Sequence, residues 1–341
     1  MSLIPMVYRS TDPGAPVLNG QAGSLLAVLH AVLVAGYGSG ATAKPGAGWT
    51  RPYSNSGVHV YRNSPLTGSG AYMRVCDDGS AATLNTPRLG QVWAYSSMSS
   101  IDAGADQTPN PSMQTRGSLI AKSLVASAAA CPWMIIATEI GFYLFVGWHN
   151  FPDNGMGAYY YGDLLSSVPG DPFPFVCFGS SDISSLSSYG TQVCTLFYGT
   201  SLELAVGSAS IGTSYVPGAF VMRSYSGGAA ASGRVAMCTV PSSSGSATTL
   251  GNGAYSAAPD PAHGGYNYVD AVVREAPHAI RGLLPGVIGP LHARPHVPGS
   301  IIPYIEGKGL GQWLVVKYNV ANPSQSIFDG QVLFRLDLPW K

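Results

Sequence analysis

Charged residues are scarce in this sequence. They make up 10% of its 341 residues, against roughly a quarter in an average soluble domain. Basic and acidic residues number 17 each, so the formal net charge is +0. This balance lacks the basic excess of a nucleic-acid binder, and we expect no nucleic-acid partner. Because net charge keeps soluble proteins apart, the low charge fits a chain that packs against copies of itself; an ordinary glycine-rich β protein is the alternative.

Cysteine and metal-binding motifs are also scarce. The five cysteines stand singly, with no CxxC pair and no Cys–His pair at zinc spacing, which predicts reduced thiols. His292 and His296 are four residues apart, but Pro295 and Pro298 exclude the helix that such metal spacing requires. The sequence contains no phosphate-binding loop. We therefore predict neither a cofactor nor a bound metal.

Only one long apolar run is present, "NGQAGSLLAVLHAVLVAGYGSG", between Asn19 and Gly40. Its apolar part, Ala22 to Gly36, is shorter than the roughly 20 residues of a membrane helix. A signal peptide needs a basic segment directly before such a run, and here a proline-containing stretch precedes it. The run therefore predicts one buried helix, with Asn19 as N-cap, a partly buried His30, and no membrane span.

The remaining sequence is rich in turns and short alternating strands, with 43 glycines and 26 prolines. Residues 57–63, 70–80 and 90–98 predict strands, 118–129 a short helix, and Trp133–Thr138 with Gly141–Val146 a hairpin. The predicted fold is mainly β, with β-sandwich or barrel-like domains, an N-terminal extended arm and one buried α-helix. The predicted divisions are 1–45 (arm and helix), 46–270 (β-rich body, with a break near 165–190) and 271–341 (C-terminal β domain).

Catalytic motifs are missing, and we predict that the chain is not an enzyme. His149 lies near Asp153, but no nucleophile motif accompanies the pair. Asp102 and Asp106 could hold a cation, yet the denser oxygen ligands of a calcium loop are absent.

Aromatic side chains cluster in one region of the sequence. A ligand-contact loop, for example for a sugar, is one interpretation, and its residues are Trp148, His149, Phe151, Tyr159 and Tyr160. Alternating aromatics in strands more often pack in the core, which is the interpretation we favour.

Several motifs occur in one order along most of the chain. They are "YRSTDPGAPVLNGQAGSLLAVLHAVLVAGYG", "GAGWTRPYS", "YMRVCDDGS", "WAYSSMSSIDAG", "FYLFVGW", "YYYGDLLSSVPGD", "RGLLPGVIGPLHARP" and "GQVLFRLDLPW". Together they resemble a group of virion structural proteins from tailed bacteriophages, encoded among tail and tail-fibre genes. The resemblance implies a place in the particle and supplies no catalytic residues.

The resemblance implies an oligomeric subunit of the tail tip, baseplate or fibre-attachment region, which folds in the host cytoplasm and resides in the virion tail. Its expected partners are other virion proteins and copies of itself, as a trimer or hexamer. The candidate assembly element is the apolar helix face, which carries Leu25, Leu26, Leu29 and Leu33. The alternatives are a module that binds a host-surface glycan, a head decoration protein, and a tail-associated hydrolase.

Overall fold

The computed structural model describes residues 3–79, 88–111, 116–123, 125–147, 156–180, 217–224, 226, 234–239, 268–275, 279–290, 296–320 and 328–340. The predicted mainly β fold is confirmed. The strands are β1 (Met6–Arg9), β2 (Thr50–Ser54), β3 (Val58–Arg62), β4 (Tyr72–Cys76), β5 (Arg88–Tyr95), β6 (Ser97–Met98), β7 (Gly104–Ala105), β8 (Ser118–Ser123), β9 (Trp133–Ala137), β10 (Gly141–Gly147), β11 (Met156–Asp163), β12 (Leu165–Ser166), β13 (Phe175–Ser180), β14 (Pro217–Val221), β15 (Arg234–Thr239), β16 (Tyr268–Glu275), β17 (Ala279–Pro290), β18 (Ile301–Ile305), β19 (Gly309–Val320) and β20 (Phe328–Arg335). The helical segments are α1 (Ser24–His30), a π-helical turn (Ala31–Ala35) and a 3₁₀ turn (Gly40–Thr42).

The described strands pair antiparallel in two main groups. In the first, β1, β9, β10, β11, β13 and β14 are neighbours in that order. A second run, β2, β3, β4, β5 and β8, joins β13 through the pair Ser180 and Leu119. In the other group, β15, β16, β17, β20, β19 and β18 are neighbours, and β12 lies on β17. The two groups are joined, because β14 pairs with β15. The hairpin predicted around residues 139–140 is confirmed as β9 and β10.

The predicted buried helix exists, but it begins later than expected. Gly23, with φ of 78°, occupies the N-cap position instead of Asn19, whose side chain accepts a hydrogen bond from the Gln21 amide. Gly36, also at φ 78°, follows the π-helical turn and ends the run as predicted. Leu25 packs so closely on β5 that a Cβ at Gly90 would lie 2.2 Å from its Cδ2 atom. No helix in the described part of the chain is long and apolar enough to span a membrane.

A buried ion pair fixes the start of α1. Lys122 Nζ lies 2.5 Å from Asp77 Oδ1, and both side chains are 0% exposed. Asp77 Oδ2 accepts the Leu25 amide at 2.9 Å, so this carboxylate supplies the helix cap that no local side chain provides. Lys122 also donates to Ser24 Oγ and to the Gln21 carbonyl. Burial raises the pKa of Asp77 and lowers that of Lys122, while their mutual attraction opposes both shifts.

The short helix predicted over 118–129 is wrong, because its first half is β8. This strand pairs with β5, and all six of its residues are buried. Lys122 lies in this strand and is fully buried, where it pairs with Asp77. The boundary predicted after residue 270 falls inside β16, and one core cluster contains Tyr8, Leu144 and Leu314 from the three predicted segments.

Replacing Lys122 by methionine tests the ion pair. The variant Lys122→Met leaves the buried Asp77 carboxylate unpaired, and we expect the free energy of unfolding in urea to fall by about 3–5 kcal/mol. The matched control is Lys308→Met, because Lys308 pairs with Asp270 at the surface, where the two side chains are 27% and 43% exposed. The control should lose less than about 1 kcal/mol. Equal losses in the two variants would contradict the assignment.

Candidate functional site

The candidate site is a cavity of about 520 Å³ beside the contact between Leu3 and Trp340. This volume lies within the range of roughly 300–1,000 Å³ that is typical of small-ligand pockets. Its polar lining comes from Thr67, Ser69, Asp163 and Asp171. The apolar lining consists of Leu3, Ile140, Leu164, Leu165, Pro174 and Trp340.

Several segments supply this lining: Leu3 precedes β1, Ile140 lies between β9 and β10, and Trp340 follows β20. Asp163 is the last residue of β11, Leu165 begins β12, and Asp171 and Pro174 lie in the connection to β13. The turn that carries Thr67 and Ser69 packs directly on Asp163. Gly68 permits this close approach, because a Cβ there would meet Asp163 Oδ2 at 2.6 Å.

Asp163 is 3% exposed and is held by neutral donors. Ser69 donates its amide to Asp163 Oδ2 and its hydroxyl to Oδ1, both at 2.6 Å. The Tyr160 hydroxyl donates to the Asp163 carbonyl at 2.6 Å, which fixes the end of β11. Burial raises the pKa of Asp163 to about 6; the bonds from Ser69 oppose this rise, and the nearby Asp171 charge adds to it.

Asp171 is also largely buried, but a cation compensates its charge. Arg281 Nη2 lies 2.7 Å from Asp171 Oδ2 and 2.8 Å from Oδ1. The Ser166 hydroxyl and the Phe173 amide donate to the same carboxylate. Arg281 is 1% exposed and also bonds to Glu275 at 3.2 Å. The two carboxylates of the cavity therefore differ in their electrostatic environment.

The predicted ligand-contact loop is not supported where it can be checked. Tyr159 and Tyr160 are 0% exposed and lie in β11, so the prediction of an exposed loop at these two residues is wrong. The physical reason is that β11 is buried along its described length, and each tyrosine hydroxyl bonds inside the protein. Trp148, His149 and Phe151 lie outside the described residues.

The predicted assembly face is also corrected. Leu25, Leu26, Leu29 and Leu33 are at most 2% exposed and belong to the main hydrophobic core. Their side chains contact the chain's own core, because the helix is tied to β4 and β8 through Asp77 and Lys122. They are therefore unavailable to a neighbouring subunit.

The other candidate residues make structural contacts. Asp102 pairs with Arg74 at 2.8 Å, and Asp106 pairs with Arg223 at 2.7 Å, so the two carboxylates face different cations. His296 bonds to the Tyr268 hydroxyl, while His292 lies outside the described residues. Across the described ranges, no three His, Cys, Asp or Glu side chains are grouped to hold a metal ion.

Sequence reasoning did not single out Asp163, Ser69 or Asp171 as site residues. Asp171 stands in "PGD", a pattern that is typical of a turn, and Ser69 stands in a Gly-Ser-Gly stretch. The only local signal was that an aspartate ends a strand of aromatic residues, because a charged residue is costly to bury there.

Comparison with known proteins does not identify the chain. No protein-family model matches it, and no curated protein sequence matches it. The cavity must therefore be interpreted from its own chemistry.

Asp163 makes stability pH-dependent in a predictable direction. Its pKa of about 6 in the folded chain exceeds its ordinary value of 3.8, so the folded state holds this proton more tightly. The stabilisation that this bound proton gives the folded state is complete below pH 4. It is lost as pH rises through about 6, and the loss in unfolding free energy is at most about 3 kcal/mol. The variant Asp163→Asn lacks the titrating group, so we expect its unfolding free energy not to show this decrease. The unfolding free energy of the wild type minus that of the variant should therefore decline between pH 4 and 7. Asp270→Asn is the exposed control, and a parallel pH profile for wild type and Asp163→Asn would contradict the prediction.

Proposed function

We propose that the protein is a structural subunit of a tailed-phage virion that acts through oligomeric assembly, in the tail tip, baseplate or fibre-attachment region. The ordered set of motifs that resembles virion proteins supports the location. The near-absence of net charge supports assembly, because copies with a formal charge of +0 do not repel one another at long range.

An exposed apolar face on β18 and β19 is the observation that carries the assembly proposal. On these two strands, Ile301, Tyr304 and Leu310 are 47%, 55% and 77% exposed. Tyr304 and Leu310 lie directly opposite each other in the antiparallel pair. Large apolar side chains grouped on a sheet surface are typical of an interaction site, whereas single ones are ordinary.

The strand edge itself is unsuited to pairing with another chain. In the described structure β18 pairs with β19 alone, and Pro303 in β18 lacks the N–H group that strand addition would use. The register also shifts between Ile302 and Tyr304. These features discourage edge-to-edge association. A second copy would therefore pack against the side chains of Tyr304 and Leu310.

The N-terminal region cannot be tested by simple deletion. Removing residues 1–40 would take away β1, which pairs with β9, and α1, which fills the core. Loss of incorporation by such a fragment would report misfolding. Surface substitutions on the apolar face avoid this difficulty.

The test is the substitution Leu310→Glu. We expect the wild-type chain to sediment as a trimer or hexamer and to be detected by mass spectrometry in purified phage particles. The variant places a charge on the apolar face, so it should sediment as a monomer while its unfolding free energy changes by about 0.5 kcal/mol or less. Leu66→Glu is the matched control, because Leu66 is 85% exposed but lies elsewhere. A monomeric wild-type chain that is absent from particles would contradict the proposal.

A further inference from the structure

The cavity beside Leu3 and Trp340 carries negative charge that its own lining does not neutralise. Among the described residues, its lining includes Asp163 and Asp171 but no lysine, arginine or histidine. Arg281, which does not line the cavity, pairs with Asp171 and also with Glu275. In the same described part of the chain, Asp163 receives the neutral donors of Ser69 and Asn63 and pairs with no cation. A buried carboxylate without a cation is unfavourable unless it takes up a proton or a positively charged partner.

We propose that this cavity binds an alkylammonium group, with the ammonium on Asp163 and its aliphatic stem along the apolar wall. The stem would contact Leu3, Leu164 and Pro174, which line the same space. An ammonium group has three donors, and the carboxylate of Asp163 and the hydroxyl of Thr67 present acceptors. The source of this group is either a lysine side chain of a partner protein or a free polyamine.

The size and chemistry of the cavity argue against other ligands. Its volume of about 520 Å³ far exceeds that of a single ion, since one water molecule takes up about 30 Å³ in the liquid. The described residues also contain no metal-type ligand group. An anion would face two carboxylates, so the lining excludes it.

Trp340 closes one side of the apolar wall. Its indole lines the cavity and is 2% exposed, while its Nε1 atom packs against Gly286, which is not among the lining residues. A lysine within a peptide brings its backbone amide groups together with its ammonium group. A polyamine brings only the ammonium groups, so affinity can distinguish the two sources.

Binding is linked to protonation. The groups around Asp163 are the Asp171 carboxylate, which Arg281 pairs, and the Tyr160 hydroxyl, which stays protonated because burial raises its pKa well above the ordinary value. A cation binds the ionised form of Asp163, so affinity should rise as pH increases through about 6.

The experiment titrates the full-length chain with small amines by calorimetry. The probes are n-pentylamine, its neutral analogue 1-pentanol, Nα-acetyl-lysine methylamide and spermidine. Pentylamine should bind saturably at pH 7.5 and about tenfold more weakly at pH 5, since the ionised fraction of Asp163 falls by that factor. Tighter binding of the lysine amide indicates that the group comes from a protein partner. Tighter binding of spermidine indicates that it comes from a polyamine. Both results support the site.

Variants locate the binding. Asp163→Asn should abolish saturable binding of pentylamine and its pH dependence, while Asp270→Asn should retain both. Thr67→Lys is the second variant, because Thr67 is exposed and lines the cavity, so a tethered ammonium should block the probe without disturbing the fold. Equal binding of pentanol and pentylamine, unchanged affinity in both cavity variants, or no saturable binding by any amine would overturn the proposal.

Discussion

Three separate segments of the chain meet at the carboxylate of Asp77, and solvent does not reach it. Lys122 on β8 neutralises the carboxylate, and the first turn of α1 is capped by it through the Leu25 amide. Because leaving either charge alone in the core would be costly, the pair determines where the helix sits relative to β5. Gly90 then provides the space that Leu25 occupies. The arm and helix are consequently part of the β body, which explains why the apolar helix face is not an assembly surface.

Tyrosine accounts for much of the buried hydrogen bonding in this chain with few charges. Tyr8, Tyr61, Tyr143 and Tyr160 are all 0% exposed. Their hydroxyls donate to the carbonyls of Pro45, Leu26, Pro285 and Asp163, respectively. Each such residue buries a large ring and also donates a hydrogen bond to a backbone carbonyl. This is the reason that aromatic clusters in the sequence mark the core here.

Local pattern was enough to predict β3, β4, β5 and the β9–β10 hairpin, because alternation and turn residues act over a few positions. It was also enough for a buried helix that ends at Gly36. It failed for β8, because burial of Lys122 depends on Asp77, 45 residues away. The cavity was unpredictable for the same reason: Ser69 and Asp163 are 94 residues apart, and only the folded chain joins them. Long-range polar pairs thus mark the limit of what local pattern could predict.

The buried acidic side chains fall into two groups, which differ in whether a cation of the chain pairs with them. Asp77 and Asp171 each have a cation that belongs to the chain, Lys122 and Arg281. Asp163 has none in the described structure, and the carboxylate of Glu139 has no hydrogen-bond partner there. Glu139 does not line the cavity, whereas Asp163 borders a space large enough for a ligand. Under the proposed function and at the proposed site, an ammonium group from outside the chain compensates this charge. The proposal then implies that the carboxylate of Asp163 contributes to the affinity for that group and lowers the stability of the chain when the group is absent.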